Sequence, residues 1–289
     1  MNNVIKFKPS SSPKLLWKVV FAMSAFHILA IWALFSFSWA NVLAVVITWW
    51  ISGSLGIGLG YHRLLTHRGY KTPKWIEYFF TVCASLAIQG GPVSWVTTHR
   101  IHHAFSDTDE DPHSPKDNFF WGHMGWVFMG GASLYDDKTR KRYSPDIMKD
   151  KFHLFMEKYY WVSTIITGAI LFLIGGWSMV LWGVFFRIVW GWHSVWIVNS
   201  IAHTWGSRRF DTRDTSTNNA LVGILAWGEG WHNNHHAFPR SSRHGLAWYE
   251  FDFNWLQIWL LEKVGLVSNV YAYDINNAES DKKRFKKAA

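Results

Sequence analysis

The sequence predicts an all-α integral membrane protein, a single domain over residues 1–289, with four membrane-spanning helices in two hairpins and a cytoplasmic helical cap. Three observations predict this class. Hydrophobic residues make up 49% of the chain and aromatic residues 18%, whereas charged residues make up 17%, below the roughly 25% of soluble domains. Two long stretches lack charge almost entirely, and the polar segments between them are rich in histidine.

The first hairpin follows from the 44 residues between Lys18 and Arg63, which include no Lys, Arg, Asp or Glu. As a helix this stretch is about 66 Å long, roughly twice the ~30 Å hydrocarbon core of a bilayer. We therefore expect spans near 17–36 and 42–60, with the turn at Ser36–Asn41. A signal peptide is disfavoured because a second apolar run follows at once without a cleavage pattern.

The second hairpin follows from Tyr159 to Gly206, where Arg187 is the single charge and Gly175-Gly176 interrupts the apolar run. We therefore expect spans near 159–175 and 178–202. Because polar groups are costly in lipid, Arg187 and His193 should face a cavity or a partner.

Basic residues fix the expected orientation, since Lys and Arg accumulate on the cytoplasmic side of a membrane. The start of the chain up to Lys18 has 4 of them, residues 61–158 have 13 and residues 203–289 have 11, while the predicted hairpin tips have none. Both termini and the cap should therefore be cytoplasmic. Residues 75–96, which contain a Gly-Gly-Pro break at 90–92, predict an interfacial or re-entrant helix. Residues 1–14 and 276–289 predict flexible polar tails.

Composition also limits the partners. The net charge of +9 fits anionic lipid or an acidic protein, and the sequence shows no basic helix or aromatic-basic repeat of the kind that binds nucleic acid. The single cysteine, Cys83, excludes an internal disulfide and a cysteine-based metal site within one chain.

Nine histidines lie where the apolar stretches meet the predicted cytoplasmic side. On an α-helix positions i, i+3 and i+4 share a face, while adjacent positions differ by about 100°, so each His-x-x-His-His box suits two neighbouring ions. A spacing of five places the first pair about 140° apart, which favours one ligand to each ion. Nine histidines exceed the four ligands of a single zinc. Asn199, one turn before His203, is either a capping or packing amide or a ligand through water. The candidate histidine ligands are His62, His67, His99, His102, His103, His203, His232, His235 and His236.

Imidazole ligands alone leave zinc, copper, iron and nickel open. A two-metal site at the membrane surface can reach a lipid chain, and iron with dioxygen is the usual chemistry for an unactivated C–H bond. The strings Glu110 to His113 and Glu229 to His232 match a di-iron carboxylate pattern, but we interpret both as coincidental because of Pro112 and Gly230. We assign His27 and His153 to structure, and leave His113, His123 and His244 between outer hydrogen bonding and no role.

The segments YHRLLTH, THRIHHAFSDTDEDPH, NSIAH and GEGWHNNHHAFP resemble the membrane fatty acyl desaturases, over residues 57–248. The resemblance implies that the cap holds two Fe²⁺ ions on all nine histidines, with Asn199 acting through a water, and that Arg187 belongs to the pattern. It implies that Gln89 and Trp95 line a bent acyl tunnel. The expected reaction is O2-dependent cis desaturation, at Δ9, of an acyl-lipid or acyl-CoA, and DTRDTSTNN with RHGLAW favours the acyl-lipid branch. This sequence shows no cytochrome b5 segment, so we expect a separate electron donor such as ferredoxin or cytochrome b5.

Three alternatives stay open. A di-iron lipid hydroxylase would share the metal ligands and differ in the mass of its product. A divalent-metal transporter would place its ligands near the middle of the bilayer. A bis-histidine haem protein would need facing histidines within the spans, for which only His27 and His193 are available.

Overall fold

A computed structural model describes residues 15–116, 118–131 and 135–275. Within these ranges the regular elements are helices, and β-structure is limited to isolated bridges, which confirms the all-α class. The tails predicted at 1–14 and 276–289 lie outside the described residues. The helices are Trp17–Ala33 (α1), Trp39–Thr66 (α2), Lys74–Ser85 (α3), Pro92–Phe105 (α4), 121–128 (α5), Asp137–Tyr143 (α6), Lys151–Val180 (α7), Arg187–Ser200 (α8), Ala220–Leu225 (α9), His232–Ala237 (α10) and Phe253–Lys263 (α11).

Two helical stretches among the described residues are long and apolar enough to cross a membrane. They are Trp39–Thr66, with 28 residues, and Lys151–His203, with 53 residues. The second joins α7 to α8 through a π-helical turn and is interrupted at the predicted glycine pair, where Gly176 has φ 65°. α1 is shorter, at 17 residues.

α7 begins at Lys151, before the predicted start at 159. The Asp150 carboxylate accepts hydrogen bonds from the backbone N–H groups of Phe152 and His153 and so caps the helix. The predicted start at 159 was placed where the apolar run begins, and hydrophobicity does not indicate that a helix starts earlier with polar, capped turns.

The prediction of one helix over 75–96 is wrong in its continuity, because the structure has two helices, α3 and α4, joined by residues 86–91. Their interfacial or re-entrant position stays a prediction. Ile88 and Gly90 in this connection have positive φ angles of 51° and 97°, which a helix does not accommodate. Pro92 then starts α4 at the position where its missing N–H costs no hydrogen bond. The connection, called the 86–91 bend below, turns the chain towards the histidine boxes.

α2 changes to π-helical geometry over Trp50–Thr66 and packs closely on α3. A Cβ added to Gly56 would lie 2.4 Å from the backbone nitrogen of Ala84, so only glycine allows this approach. At the end of α2 the buried Arg63 guanidinium pairs with Glu229 and Asp252, at 3.0 and 2.9 Å. This buried network ties the end of α2 to the loop before α10 and to the start of α11.

Candidate metal centre

The structure brings the nine predicted histidines into two adjoining clusters. In each cluster one nitrogen per residue lies within 4.8 Å of those of the others. The clusters meet where the His103 and His236 rings stack, with centroids 4.5 Å apart. Cluster one contains His62, His67, His99, His103 and His235, and cluster two contains His102, His203, His232 and His236.

Each histidine box serves both clusters. In α4, His99 and His103 are one turn apart and belong to cluster one, whereas His102 turns towards cluster two. In α10 the division is reversed, because His232 and His236 belong to cluster two and His235 to cluster one. The splay of adjacent helical positions produces this division.

The expectation that His62 and His67 belong to different ions is not what the structure shows, since both lie in cluster one. That expectation assumed an α-helix. The end of α2 is a π-helix, in which residue i+5 hydrogen-bonds to residue i, and the His67 backbone N–H donates to the His62 carbonyl at 3.1 Å. This winding brings a spacing of five onto one face.

The imidazole Nε2 atoms face one another inside each cluster. In cluster one His235 Nε2 lies 3.1 Å from that of His62 and 2.9 Å from that of His103. In cluster two His236 Nε2 lies 3.1 Å from that of His232 and 3.4 Å from that of His102. His203 Nε2 is buried with no hydrogen-bond partner among the described residues.

Three carboxylates hold the outer nitrogens of cluster two. Asp111 lies 3.0 Å from His102 Nδ1, Asp107 3.0 Å from His203 Nδ1 and Asp214 2.9 Å from His236 Nδ1. A carboxylate at Nδ1 keeps the proton there and leaves the Nε2 lone pair directed inward. Inward lone pairs repel one another unless a cation lies between them, so the donor set fits a metal ion.

Among the described residues, cluster one has one carboxylate of this kind. Glu229 Oε2 lies 2.8 Å from His62 Nδ1 and 3.1 Å from His244 Nδ1. The string from Glu229 to His232 therefore does not act as a paired ligand motif, because this glutamate serves His62 instead. Glu110, in the other string, instead bonds to the Thr108 hydroxyl.

Burial and neighbouring charges shift the pKa values of the cluster histidines and their carboxylates. Burial, together with the neighbouring histidines, lowers the pKa of His99, His103 and His235 well below the usual value, so these rings are neutral at neutral pH. His102 differs, because burial lowers its pKa but the Asp111 carboxylate outweighs that effect and raises it. The pKa of Asp107 is lowered, since its bonds to His203 and Thr215 outweigh burial.

The remaining histidines lie outside the two clusters. His244 contacts Glu229, and the His113 ring lies against that of His102, tilted by 33° with centroids 4.5 Å apart. His27, which the sequence analysis assigned to structure, has its Nε2 3.2 Å from that of His193, whose Nδ1 lies 2.9 Å from His123 Nε2. The direct contact between His27 and His193 leaves no space for a haem between them.

Two cavities meet beside cluster one. The larger, of about 410 Å³, extends from Lys18 to Gln89, Trp95, His99 and Asn199. The smaller, of about 50 Å³, is lined by Trp49, Trp227, His62 and His232, and it shares Trp95, His99 and Asn199 with the larger. The Trp95 indole N–H donates to Gln89 Oε1 at 3.3 Å. Two mainly apolar cavities thus adjoin the histidines and share part of their walls.

Sequence reasoning missed the carboxylates Asp107, Asp111 and Asp214, and it considered Glu229 only as part of a coincidental string. Two acidic segments were a usable signal: DTDED follows the box at 99–103, and DTRDT precedes the box at 232–236. Metal-binding histidines generally donate their second N–H to a carboxylate or carbonyl. Which aspartate meets which histidine depends on the fold.

The fold and site define an all-helical protein with two histidine clusters that are suited to metal binding and that adjoin an apolar cavity. The family model for fatty acid desaturases matches residues 36–260. The chain is 48% identical to an sn-1 stearoyl-lipid 9-desaturase of Anabaena variabilis, over 92% of this chain and 97% of the relative. It is 43% identical to an sn-2 palmitoyl-lipid 9-desaturase of Nostoc sp. (90% and 92%) and 45% identical to an icosanoyl-CoA 5-desaturase of Limnanthes douglasii (84% and 69%).

The chain therefore belongs to the fatty acid desaturase family. It is a fatty acyl desaturase, an oxidoreductase of lipid metabolism, as the sequence motifs predicted. The family does not support the metal-transporter alternative.

Proposed function

We propose that this enzyme introduces one cis double bond at Δ9 of a saturated acyl chain esterified in a membrane lipid. The observation that carries the proposal is the pair of mainly apolar cavities that adjoin the two histidine clusters. In the overall reaction the acyl chain loses two hydrogens, a donor supplies two electrons, two protons are taken up, and O2 leaves as two waters. The names of the Anabaena and Nostoc relatives support both the Δ9 position and the lipid carrier.

We propose that each cluster holds one iron ion. The five histidines of cluster one would bind the first, and the four of cluster two, with Asn199 through a water, would bind the second. When bound, iron supplies the activation of dioxygen that an unactivated C–H bond requires. The protein's part is to fix the ligands: Asp107, Asp111, Asp214 and Glu229 orient the imidazoles, while the cavity walls exclude water and place the acyl chain.

We propose that the chain spans the membrane four times, with both termini and the cap on the cytoplasmic side. Large apolar side chains project from the helices, including Phe21 on α1 at 68% exposure and Leu173 and Trp177 on α7 at 84% and 68%. Water contact over such an area is unfavourable, whereas lipid contact is not. Together with the distribution of basic residues, these surfaces support two hairpins in the bilayer.

Expression in a host whose lipids are saturated tests the function. We expect new cis monoenes in one lipid class, with the double bond at C9, when the lipids are separated and analysed by gas chromatography and mass spectrometry. Products heavier by one oxygen would instead indicate the hydroxylase. Monoenes confined to the acyl-CoA pool would contradict the acyl-lipid carrier.

We propose that the electron donor is a separate acidic protein such as ferredoxin, with cytochrome b5 as the alternative. The exposed Arg213 guanidinium donates to the backbone carbonyls of His103 and Ala104, at 2.7 and 3.0 Å, so it lies at the surface above cluster one. A basic group there attracts an acidic protein to the part of the surface nearest the metal ligands.

The substitution Arg213→Glu is expected to raise KM for an acidic donor about two- to fivefold, with a smaller change in kcat, because a charge at the rim of an interface acts mainly on association. Arg142→Glu, on the exposed face of α6, is the matched control and should leave KM unchanged. Wild-type activity should fall as ionic strength rises. Equal KM values for the two variants would contradict this docking site.

A further inference from the structure

The 86–91 bend forms part of the wall of the larger cavity. Ile88, Gln89 and Gly90 line it beside Trp95 and His99. Because α3 ends at Ser85, the carbonyls that follow have no partner within a helix. Such groups need donors from elsewhere, most of all at membrane depth.

Helix α8 supplies these donors. The Arg187 guanidinium is fully buried, and its Nη1 donates to the Leu86 carbonyl at 2.5 Å. The Trp192 indole N–H donates to the carbonyls of Ala87 and Ile88, at 3.0 and 3.2 Å. Arg187 does not line the cavity and is bonded to backbone carbonyls, so its contacts act on the bend rather than on a bound chain. Trp192 both lines the cavity and bonds to the bend.

Helix α7 holds the other end of the bend. The Glu157 carboxylate accepts hydrogen bonds from the backbone N–H groups of Val93 and Ser94, at 2.9 and 3.1 Å, and from the Ser94 hydroxyl. A Cβ on Gly91 would lie 2.4 Å from the Glu157 Cα, so the two backbones are in close contact. This carboxylate caps α4, the helix that presents His99, His102 and His103.

We propose that Arg187, Trp192 and Glu157 are positioning residues that hold the 86–91 bend at a fixed distance from the metal ligands and thereby select the carbon pair that is desaturated. This inference rests on the proposed function. Neighbouring methylenes are chemically alike, so position is selected only by the geometry with which the chain is held, and a shift of about 1 Å is enough to change reactivity strongly. A bend held from two helices supplies the necessary rigidity.

Three variants loosen the bend without altering a metal ligand. Arg187→Met retains most of the length of the side chain and removes both donors, Trp192→Phe removes the indole N–H, and Glu157→Ala removes the carboxylate. Glu157→Gln keeps one acceptor oxygen and is the conservative rescue. Trp190→Phe, on the exposed side of α8, is the matched control for Trp192→Phe. Each protein is expressed in the host with saturated lipids, its iron content is measured, and double-bond positions are located by mass spectrometry of disulfide adducts.

We expect wild type and Trp190→Phe to give one position. The three loosened variants, at normal iron content, should show a rise of about tenfold in the fraction of neighbouring positional isomers, and Glu157→Gln should restore most of the selectivity. Loss of rate with no change of position would overturn the proposal. If Arg187→Met does not accumulate, Glu157→Ala and its rescue by Glu157→Gln decide, because Glu157 does not line the cavity whereas Trp192 does. A wild-type enzyme that makes no monoene would overturn the proposed function itself and is seen before any variant is compared.

Discussion

Replacing His235 by alanine is expected to abolish desaturation. This imidazole is fully buried, and its Nε2 lies within 3.1 Å of those of both His62 and His103, so it occupies the middle of cluster one. Because changing a group that merely supports a ligand lowers metal affinity by 10- to 100-fold, removal of the ligand itself should lower activity by more than about a hundredfold. His203→Ala in cluster two should have the same effect, since the proposed reaction uses both ions.

The control is His153→Ala, which removes an equally buried imidazole outside both clusters. His153 lies beside Glu77 and Thr81, where Lys74 already supplies a cation to Glu77 and Asp150. This variant should remain active, with at most a modest loss of stability. If His235→Ala or His203→Ala kept near-full activity in purified enzyme, that histidine would not be a ligand.

Asp107→Asn is expected to lower iron affinity about 10- to 100-fold while the fold is retained. The carboxylate accepts from His203 Nδ1 at 3.0 Å and from the backbone N–H and the hydroxyl of Thr215, each at 2.7 Å. An amide of the same size removes the negative charge that holds the proton on Nδ1. The His203 ring then loses both its orientation and part of its basicity.

Titration of the apoenzyme with ferrous iron measures this effect, with activity followed in parallel. Asp136→Asn is the matched control, because the Asp136 carboxylate caps α6 at the surface through the Thr139 N–H. Excess iron should restore much of the activity of Asp107→Asn. Wild-type affinity in this variant would show that Asp107 serves only the fold.

The division of each histidine box over two clusters was predictable from the sequence, because the spacing of histidines within one helix determines which of them share a face. The three-residue and four-residue spacings in α4 and α10 are local, and the structure divides both boxes over the clusters as local geometry requires. The prediction that His62 and His67 bind different ions was wrong because the end of α2 is a π-helix. Hydrophobic periodicity does not indicate where an α-helix changes to π-helical geometry.

Other features depend on contacts that are distant in sequence. The carboxylate of Asp214 meets His236 and that of Glu229 meets His62 only after α2, α4 and α10 have packed together. The 86–91 bend was signalled by Gly90-Gly91-Pro92, yet its role depends on donors from α8, about a hundred residues further along the chain. Arg187 was expected to face a cavity or a partner, and its observed partners are backbone carbonyls.

The central claim is that two histidine clusters hold two iron ions beside the acyl path. Its most direct test is the metal content of active enzyme purified in detergent, measured by elemental analysis and by Mössbauer spectroscopy after labelling with ⁵⁷Fe. We predict two high-spin iron ions per chain with nitrogen-rich ligands, and loss of that signal in His235→Ala and His203→Ala. Full activity in enzyme with one iron per chain, or with zinc in place of iron, would contradict the account.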